Sequence, residues 1–525
     1  MPENYFMGLV GIAIGSFIVV IILRTIFNRY DILLSGEPSP NLKDIFLWAI
    51  KDAEIVRRIL ITLGVLIVLR FAFLLPLPGI NLEALKEFFS KISSARGGNA
   101  LGNMVMMFSG VAFDRLKIFA LGLMPFFSSC IIIQLASAVI PKLKKLSFTG
   151  ESGRAEIAKY TYIITIAICL AQSFCISLWL DNPTRFEGIR IITMSGWGFR
   201  LICMATMTTA VMLLLFITDV ITRYGIGNGI AVIAVSYIPL SIFRVINQFS
   251  ILSQTRQLLF SPVILGIICL GVIYIIYFIT TRTRAVEFQD DKSNKVIINF
   301  RPTIIGYAPL SFAQSIMLFP TTVAWLIGAR KLPYLFMKGN LLYTVIYLVL
   351  IITFSYFYAA IVFNPKYILS IANRYGYGLV KSKDGKDEDY LDDNMSKVLL
   401  ITTLFLVGLC LTNLIMLFFK IPSLVASFVG GMSLLLAVGV FSDIVKQLSF
   451  FKDKQDSGIK DWSICYIAFD EIEAKIKSEY LKAKGILALV EPLRFTWGMP
   501  IRTIVDQYRI YVPADRKEEA RSSIS

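Results

Sequence analysis

The sequence contains no histidine. That removes the side chain most often used as a general base near neutral pH, and the commonest metal ligand. The chain is also poor in charge. Only 17% of its 525 residues are Asp, Glu, Lys or Arg, against roughly a quarter in ordinary soluble proteins. None of its seven cysteines sits in a CxxC pair, and six lie in apolar runs, where a thiol behaves as a small hydrophobe. There is no phosphate-binding GxxxxGK[ST] loop and no Gly-rich dinucleotide fingerprint. No cofactor or metal is therefore expected. Motor or enzymatic chemistry would have to come from a partner.

What is abundant is apolar sequence, at 56% of residues. Runs of about 20 apolar residues, enough to cross a bilayer as a helix, recur along most of the chain. Eleven spans are expected, near 6–27, 59–78, 118–140, 158–180, 200–219, 230–248, 262–281, 303–326, 340–363, 398–419 and 424–446. The first follows Met-Pro-Glu-Asn without a basic leader, and Arg24 and Arg29 come after it. It reads as an uncleaved helix with its N-terminus outside. Alternation then puts 37 of the 52 Lys and Arg on the cytosolic side and 14 on the other, with Arg70 inside a span. The positive-inside rule supports that orientation. The net charge of +16 thus describes a basic cytosolic face, which can meet ribosomal RNA, anionic lipid or an acidic partner.

Three segments break the apolar pattern. RAVEFQ, DDKSNK and KVIINF, within 282–302, read as strand, polar turn and strand, a protruding cytosolic hairpin. KSKDGKDEDYLDDN (381–394) reads as a solvated loop or a docking surface. After residue 450 a small α+β domain is expected. It has a strand at 463–469, a helix from Asp470 to Lys484, strands at 486–492 and 508–513, and a short final helix. It weakly resembles ferredoxin-like modules.

A set of motifs carries a more specific resemblance. In order they are PLPGI (76–80), MFSGVAF (107–113), IFALGLMPFFSSCIIIQL (118–135), GESGRAEIAKYT (150–161), ITRYGIGNGI (221–230), SFAQSIMLFP (311–320), YFYAAIVFNP (356–365) and GGMSLLLAVGVFSDIVKQ (430–447). Together, in this order and spacing, the chain resembles the SecY family of protein-export channels. The resemblance implies an all-α polytopic membrane protein, a ten-helix bundle in two pseudo-symmetric halves with a pathway at their interface. Residues 1–40 add an extra N-terminal transmembrane helix. Residues 41–260 and 261–450 form the two halves, and 455–525 the α+β domain. GESGRAEIAKYT is expected to be the loop that enters the third core helix.

The resemblance also implies roles. A pore ring, which seals the idle channel by dewetting, falls on Leu123, Phe127, Ala234, Ile238, Ser311 and Leu436. The family favours bulky aliphatics there, so Ala234 and Ser311 depart from its pattern, and the larger Phe127 is a candidate to fill the space beside Ala234. The plug covers about 103–115, including Met107, Phe108, Ser109, Gly110, Val111 and Arg115. A lateral gate to lipid falls on Ser128, Gln134, Thr303 and Phe319, with Thr303 in place of the family's usual Asn. Cytosolic docking falls on Arg282, Arg284, Lys292, Lys295, Lys381, Lys383 and Lys386. The family's twin arginines at the hairpin tip and its Arg-Pro-Gly motif are missing, and lysine lacks arginine's planar fork.

The implied function is a passive, non-enzymatic protein-conducting channel in the bacterial inner membrane, with a cytosolic C-terminus. Its implied partners are SecE-like and SecG-like subunits, a SecA-type motor ATPase or the ribosome, signal-bearing polypeptides, and the bilayer. A specialised or regulated paralogue with a restricted substrate set is the alternative. A small-solute transporter would need intramembrane charges around a midplane site, and these are sparse.

Overall fold

A computed structural model of the chain describes residues 42–81, 117–148, 150–181, 188–236, 271–276, 284–290, 295–300, 309–314, 341–363, 365–380, 387–418, 432–459, 461–468, 471–492 and 508–524, with a few isolated positions between them. The expected first span, at 6–27, lies outside them. The chain divides into two compact units. One comprises Ile59–Gly225 and Ser315–Tyr343, the other Met1–Arg58, Ile226–Gln314 and Thr344–Ser525.

The first unit is helical. It takes helix α2 (Ala53–Ala72) from Ile59 on, α3 (Met124–Val139), α4 (Pro141–Phe148), α5 (Gly150–Leu180) and α6 (Trp197–Tyr224); the short helix α1 (Leu42–Lys51) belongs to the other unit. Helix α5 packs against both α3 and α6. Where α3 meets α5, the hydroxyls of Ser129 and Thr165 lie 2.6 Å apart and fully buried. With one proton each, one hydroxyl donates across the contact and the other to a carbonyl of its own helix, Phe126 O for Ser129 or Thr161 O for Thr165. A hydroxyl cannot be left dry in hydrocarbon, so the two helices meet where their polar groups satisfy each other.

Helix α5 corrects the sequence reading. GESGRAEIAKYT is not a loop but the first turns of a 31-residue helix. At 1.5 Å per residue such a helix is about 46 Å long, beyond the ~30 Å hydrocarbon core. The polar turns therefore fit a helix that continues past the membrane.

The second unit contains α7 (Gly229–Ser236), α8 (Leu341–Val362), α9 (Pro365–Arg374), α10 (Asp387–Phe418) and α11 (Met432–Asp456), with strands β1 (Arg284–Asp290), β2 (Lys295–Phe300) and β3 (Tyr377–Leu379). The hairpin forms as expected, β1 pairing antiparallel with β2. It gains a third strand, since β3 pairs antiparallel along the other edge of β1. The stretch 381–394 is also not a loop throughout, because Asp387 begins a 32-residue helix. Asp387, Glu388 and Asp389 occupy its first turn, where negative charge stabilises the helix dipole. Among the described residues, five helices are long and apolar enough to cross a membrane: Ala155–Leu178, Trp197–Tyr224, Leu342–Arg374, Asp387–Thr412 and Leu434–Asp456.

The tail folds as β4 (Trp462–Ala468), α12 (Glu471–Ala483), β5 (Leu489–Pro492), β6 (Tyr508–Pro513) and α13 (Lys517–Ile524), with strand order β4-β6-β5. Strand β6 lies between the other two and antiparallel to both. This is the split β-α-β arrangement of ferredoxin-like folds. Helix α12 carries a buried ion pair, Glu473 to Lys477 at 3.2 Å. The Tyr466 hydroxyl donates to Glu473 at 2.8 Å, and its ring lies 3.4 Å from the Lys477 ammonium. Both charges are thus compensated where neither reaches water.

Tyr511 on β6 donates to the buried Glu491 at 2.9 Å. Burial, and then the Glu491 carboxylate, push its hydroxyl up to about 12. The raised value means that the protonated form is favoured in the fold. Its contribution is complete below the ordinary tyrosine value of about 10 and is lost as pH rises through about 12. In a tyrosinate absorbance titration of the whole chain against Tyr511→Phe, the missing ring should titrate near about 12; titration at about 10 would show that Tyr511 is solvated.

Candidate functional site

The motifs occupy turns that leave little freedom. PLPGI ends α2 in a knot of backbone contacts. Pro76 bridges Lys117, and the Ile118 N–H donates to the Leu75 carbonyl at 3.2 Å. Three residues on, Asn81 N–H donates to Ile191 O at 2.7 Å and Thr193 N–H to Gly79 O at 2.9 Å. Gly79 has φ +86, and a Cβ there would lie 3.0 Å from the Phe199 ring. Phe199 is itself buried with Leu77, Ile80, Leu180, Ile191 and Cys203. The chain therefore leaves this knot at Asn81 and returns to it at Lys117. The predicted plug residues Met107, Phe108, Ser109, Gly110, Val111 and Arg115 fall between those two positions, outside the described residues.

From Lys117 the chain turns into α3. Gly122 takes φ +54, Leu123 caps the helix, and Pro125 occupies its first turn, where a missing N–H costs nothing. Leu123 is buried, Phe127 and Ser128 are half-buried, and Gln134 is buried. Phe126 and Ser129, on the face toward α5, contact Tyr162 and Thr165. Phe127 and Gln134 are seven residues apart, so they lie within about 20° of one helix face at 3.6 residues per turn. The predicted ring residue Phe127 and gate residue Gln134 thus share a face. Ser128 lies about 100° around from Phe127.

The chain crosses from one unit to the other between Gly225 and Ile226, inside ITRYGIGNGI. A Cβ on Gly225 would meet the Ile221 carbonyl oxygen at 2.7 Å. Gly227 has φ +80, and a Cβ there would lie 3.1 Å from Val232 and 3.5 Å from Ile444. Its N–H donates to the buried Gln447 Oε1 at 2.7 Å. Asn228 then caps α7, its Oδ1 accepting from the Ile230 N–H at 3.1 Å. Helix α7, which carries the half-buried Ala234, packs on α11, which carries the buried Leu436. Leu436, Asp443 and Gln447 follow one another at helical spacing along α11.

Ile238 and Ser311 are buried in this same unit. Phe312, beside Ser311, meets Phe354 and Tyr358 of α8 edge-on, at 5.6 and 5.8 Å. Four of the six ring candidates thus belong to one unit and two, Leu123 and Phe127, to the other. Thr303 and Phe319 lie outside the described residues.

The docking candidates do not form one described patch. Arg284 opens β1 opposite Phe300, whereas Lys295 opens β2 opposite Gln289, beside the turn. Five register steps separate them, about 17 Å along the hairpin. Arg282, Lys292, Lys381, Lys383 and Lys386 lie outside the described residues. Sequence reasoning missed Gln447, the Pro76–Lys117 bridge and β3. Only β3 had a signal, the alternation in Tyr-Gly-Tyr-Gly-Leu (375–379).

These elements define a class, a polytopic helical membrane protein. Comparison with solved structures agrees. A structure of a protein-conducting channel aligns with a TM-score of 0.51 at 13% identity, covering 75% of this chain and 92% of that one. A structure concerned with the plug domain of the SecY protein aligns at 0.50 and 14%, with the same coverage. At such identities the match establishes the fold.

Sequence comparison is more specific. The SecY family model matches residues 117–445. The protein translocase subunit SecY of Escherichia coli K12 is 31% identical over 417 residues, covering 75% of this chain and 91% of the relative. That of Thermotoga maritima is 30% identical over 419 residues, covering 76% and 93%. The chain belongs to the SecY family.

The turn at 225–228 makes a direct test. Gly227→Ala places a Cβ in a left-handed conformation and against Val232, and should cost about 1–2 kcal/mol. Gln447→Leu removes the acceptor of a buried N–H, at about 1–3 kcal/mol. Both should lower the thermal unfolding midpoint in detergent, and the double variant should lose less than the sum because the two act on one contact. Additive losses would separate them.

Proposed function

We propose that this chain is the channel-forming subunit of a preprotein translocase, passing secretory polypeptides across the membrane and releasing transmembrane segments sideways into lipid. The observation that carries the reading is family membership through 117–445, the stretch that includes α3, the glycine-rich turn and most of α11. The chain's own task is passive. Leu123, Phe127, Ala234, Ile238, Ser311 and Leu436 form an apolar ring that excludes ions when idle and yields around a passing chain. The loop between Asn81 and Lys117 carries the plug. Its ends are tied at the PLPGI knot, so it can swing without losing its anchorage.

Gln134, Ser128, Thr303 and Phe319 line the gate. Polar contacts between helices in a bilayer are worth about 0.6–2 kcal/mol, weak enough for an apolar signal sequence to open. Energy comes from outside, from a SecA-type motor or the ribosome docked on the basic cytosolic face through the hairpin and the lysines at 381–386. SecE-like and SecG-like subunits complete the channel. The membrane is the bacterial inner membrane, and the Lys and Arg bias puts the C-terminus in the cytosol.

The test is site-specific photocrosslinking. An arrested secretory chain should crosslink to a photoreactive residue at Leu123, Phe127 or Leu436, and not to one at Leu404, an exposed position on α10. No crosslink at the three positions, with the complex intact and a working motor present, would mean that this scaffold has lost or changed its transport role.

A further inference from the structure

The tail is not an appendage. Tyr375, in the turn between α9 and β3, packs against the tail's own core beside Leu481, Ile510 and Ile524. Its ring lies 4.7 Å from that of Tyr480, and its hydroxyl donates to the Ile524 carbonyl at 3.0 Å. A half-buried residue from outside the tail thus packs against the tail's hydrophobic cluster and bonds its last helix. Helix α12 packs on both α9 and β2.

On the other side, β5 packs on α11. Phe450 of α11 meets the Tyr511 ring at 5.4 Å, and the Lys454 ammonium sits 4.8 Å from the same ring. The neighbouring Phe451 faces Arg58, at 5.0 Å, and Gln455 accepts from the Trp48 indole at 2.6 Å. One small domain therefore touches both the cytosolic sheet and the end of the last spanning helix, each through a buried or half-buried tyrosine.

We propose that the C-terminal domain is a fixed brace, which joins the end of α11 to the β1–β2–β3 sheet and holds the hairpin in place. Three features favour a permanent brace over a mobile sensing module. Tyr375 packs against the tail's core by its ring and bonds the tail's last helix by its hydroxyl. Aromatic pairs of this kind stabilise a contact beyond the area they bury. Both ends of the tail are engaged, β5 and β6 at α11 and α13 at Tyr375. The brace does not depend on what the channel carries, so its test reads structure and not transport.

Hydrogen exchange on the full chain in lipid nanodiscs decides it. In Tyr375→Ala/Tyr511→Ala, the amides of β6 and of the hairpin strands β1 and β2 should exchange about tenfold faster or more, while those of α6 stay as in the wild type. Tyr375→Phe/Tyr511→Phe keeps both rings and should remain within about threefold of wild type. Faster exchange in β6 with an unchanged hairpin would overturn the brace and leave an appended domain. Unchanged exchange in both would overturn it too. Should the alanine pair also loosen α6, the single Tyr375→Ala chain decides, because it leaves the α11 seam intact. It should still loosen both β6 and the hairpin, and protection of either would overturn the proposal.

Discussion

A backbone inside hydrocarbon has no water with which to pair its N–H and C=O groups, and each one left bare costs several kcal/mol. The rest of this structure follows from that constraint. It makes the spanning segments helices, and it lets them be uniformly apolar without any further purpose. It also makes every polar group within them consequential. Ser129 and Thr165 meet at the α3–α5 contact because a buried hydroxyl needs a partner. Gly227 turns the chain where Gln447 can accept its N–H. At the ends of the helices the constraint relaxes, and there strands, ion pairs and a soluble domain appear.

The glycine-rich turn shows how a motif translates into mechanics. Two compact units meet in the sequence between Gly225 and Ile226. On one side a Cβ at 225 would strike a helix carbonyl; on the other, Gly227 adopts a backbone conformation that costs other residues strain. The residues that connect the units are thus held tightly on each side. PLPGI does similar work, holding the two ends of the stretch 82–116 at a single knot.

The part of the chain that carries the strands is organised differently. Its sheet is three-stranded, not a bare hairpin, and the tail reaches it through Tyr375 while reaching α11 through Tyr511. Aromatic side chains suit such seams because they bury a large area at the cost of two torsions and still offer a hydroxyl.

Much was legible in the sequence because it was local or repeated. Apolar runs of membrane length, the alternation of the hairpin, and the strand–helix–strand–strand–helix order of the tail each depend on near neighbours; the hairpin and the tail order are observed, and five helices of membrane length stand among the described residues. The family could be read from motifs in order. Boundaries were less legible. Residues 150–161 and 387–394 are polar, and polarity alone does not distinguish a loop from a helix that has left the membrane. What only the tertiary structure decided was long-range pairing: Pro76 with Lys117, Gly227 with Gln447, β3 with β1, and Tyr375 with the tail's core. These contacts join residues 41 to 220 positions apart, and no periodicity reports such a pair. The composition by itself determined that the chain would be helical and buried in lipid, because hydrocarbon allows little else. Which turns hold the helices, and what the tail holds, had to await the fold, because those choices rest on shape and hydrogen-bond geometry between distant segments.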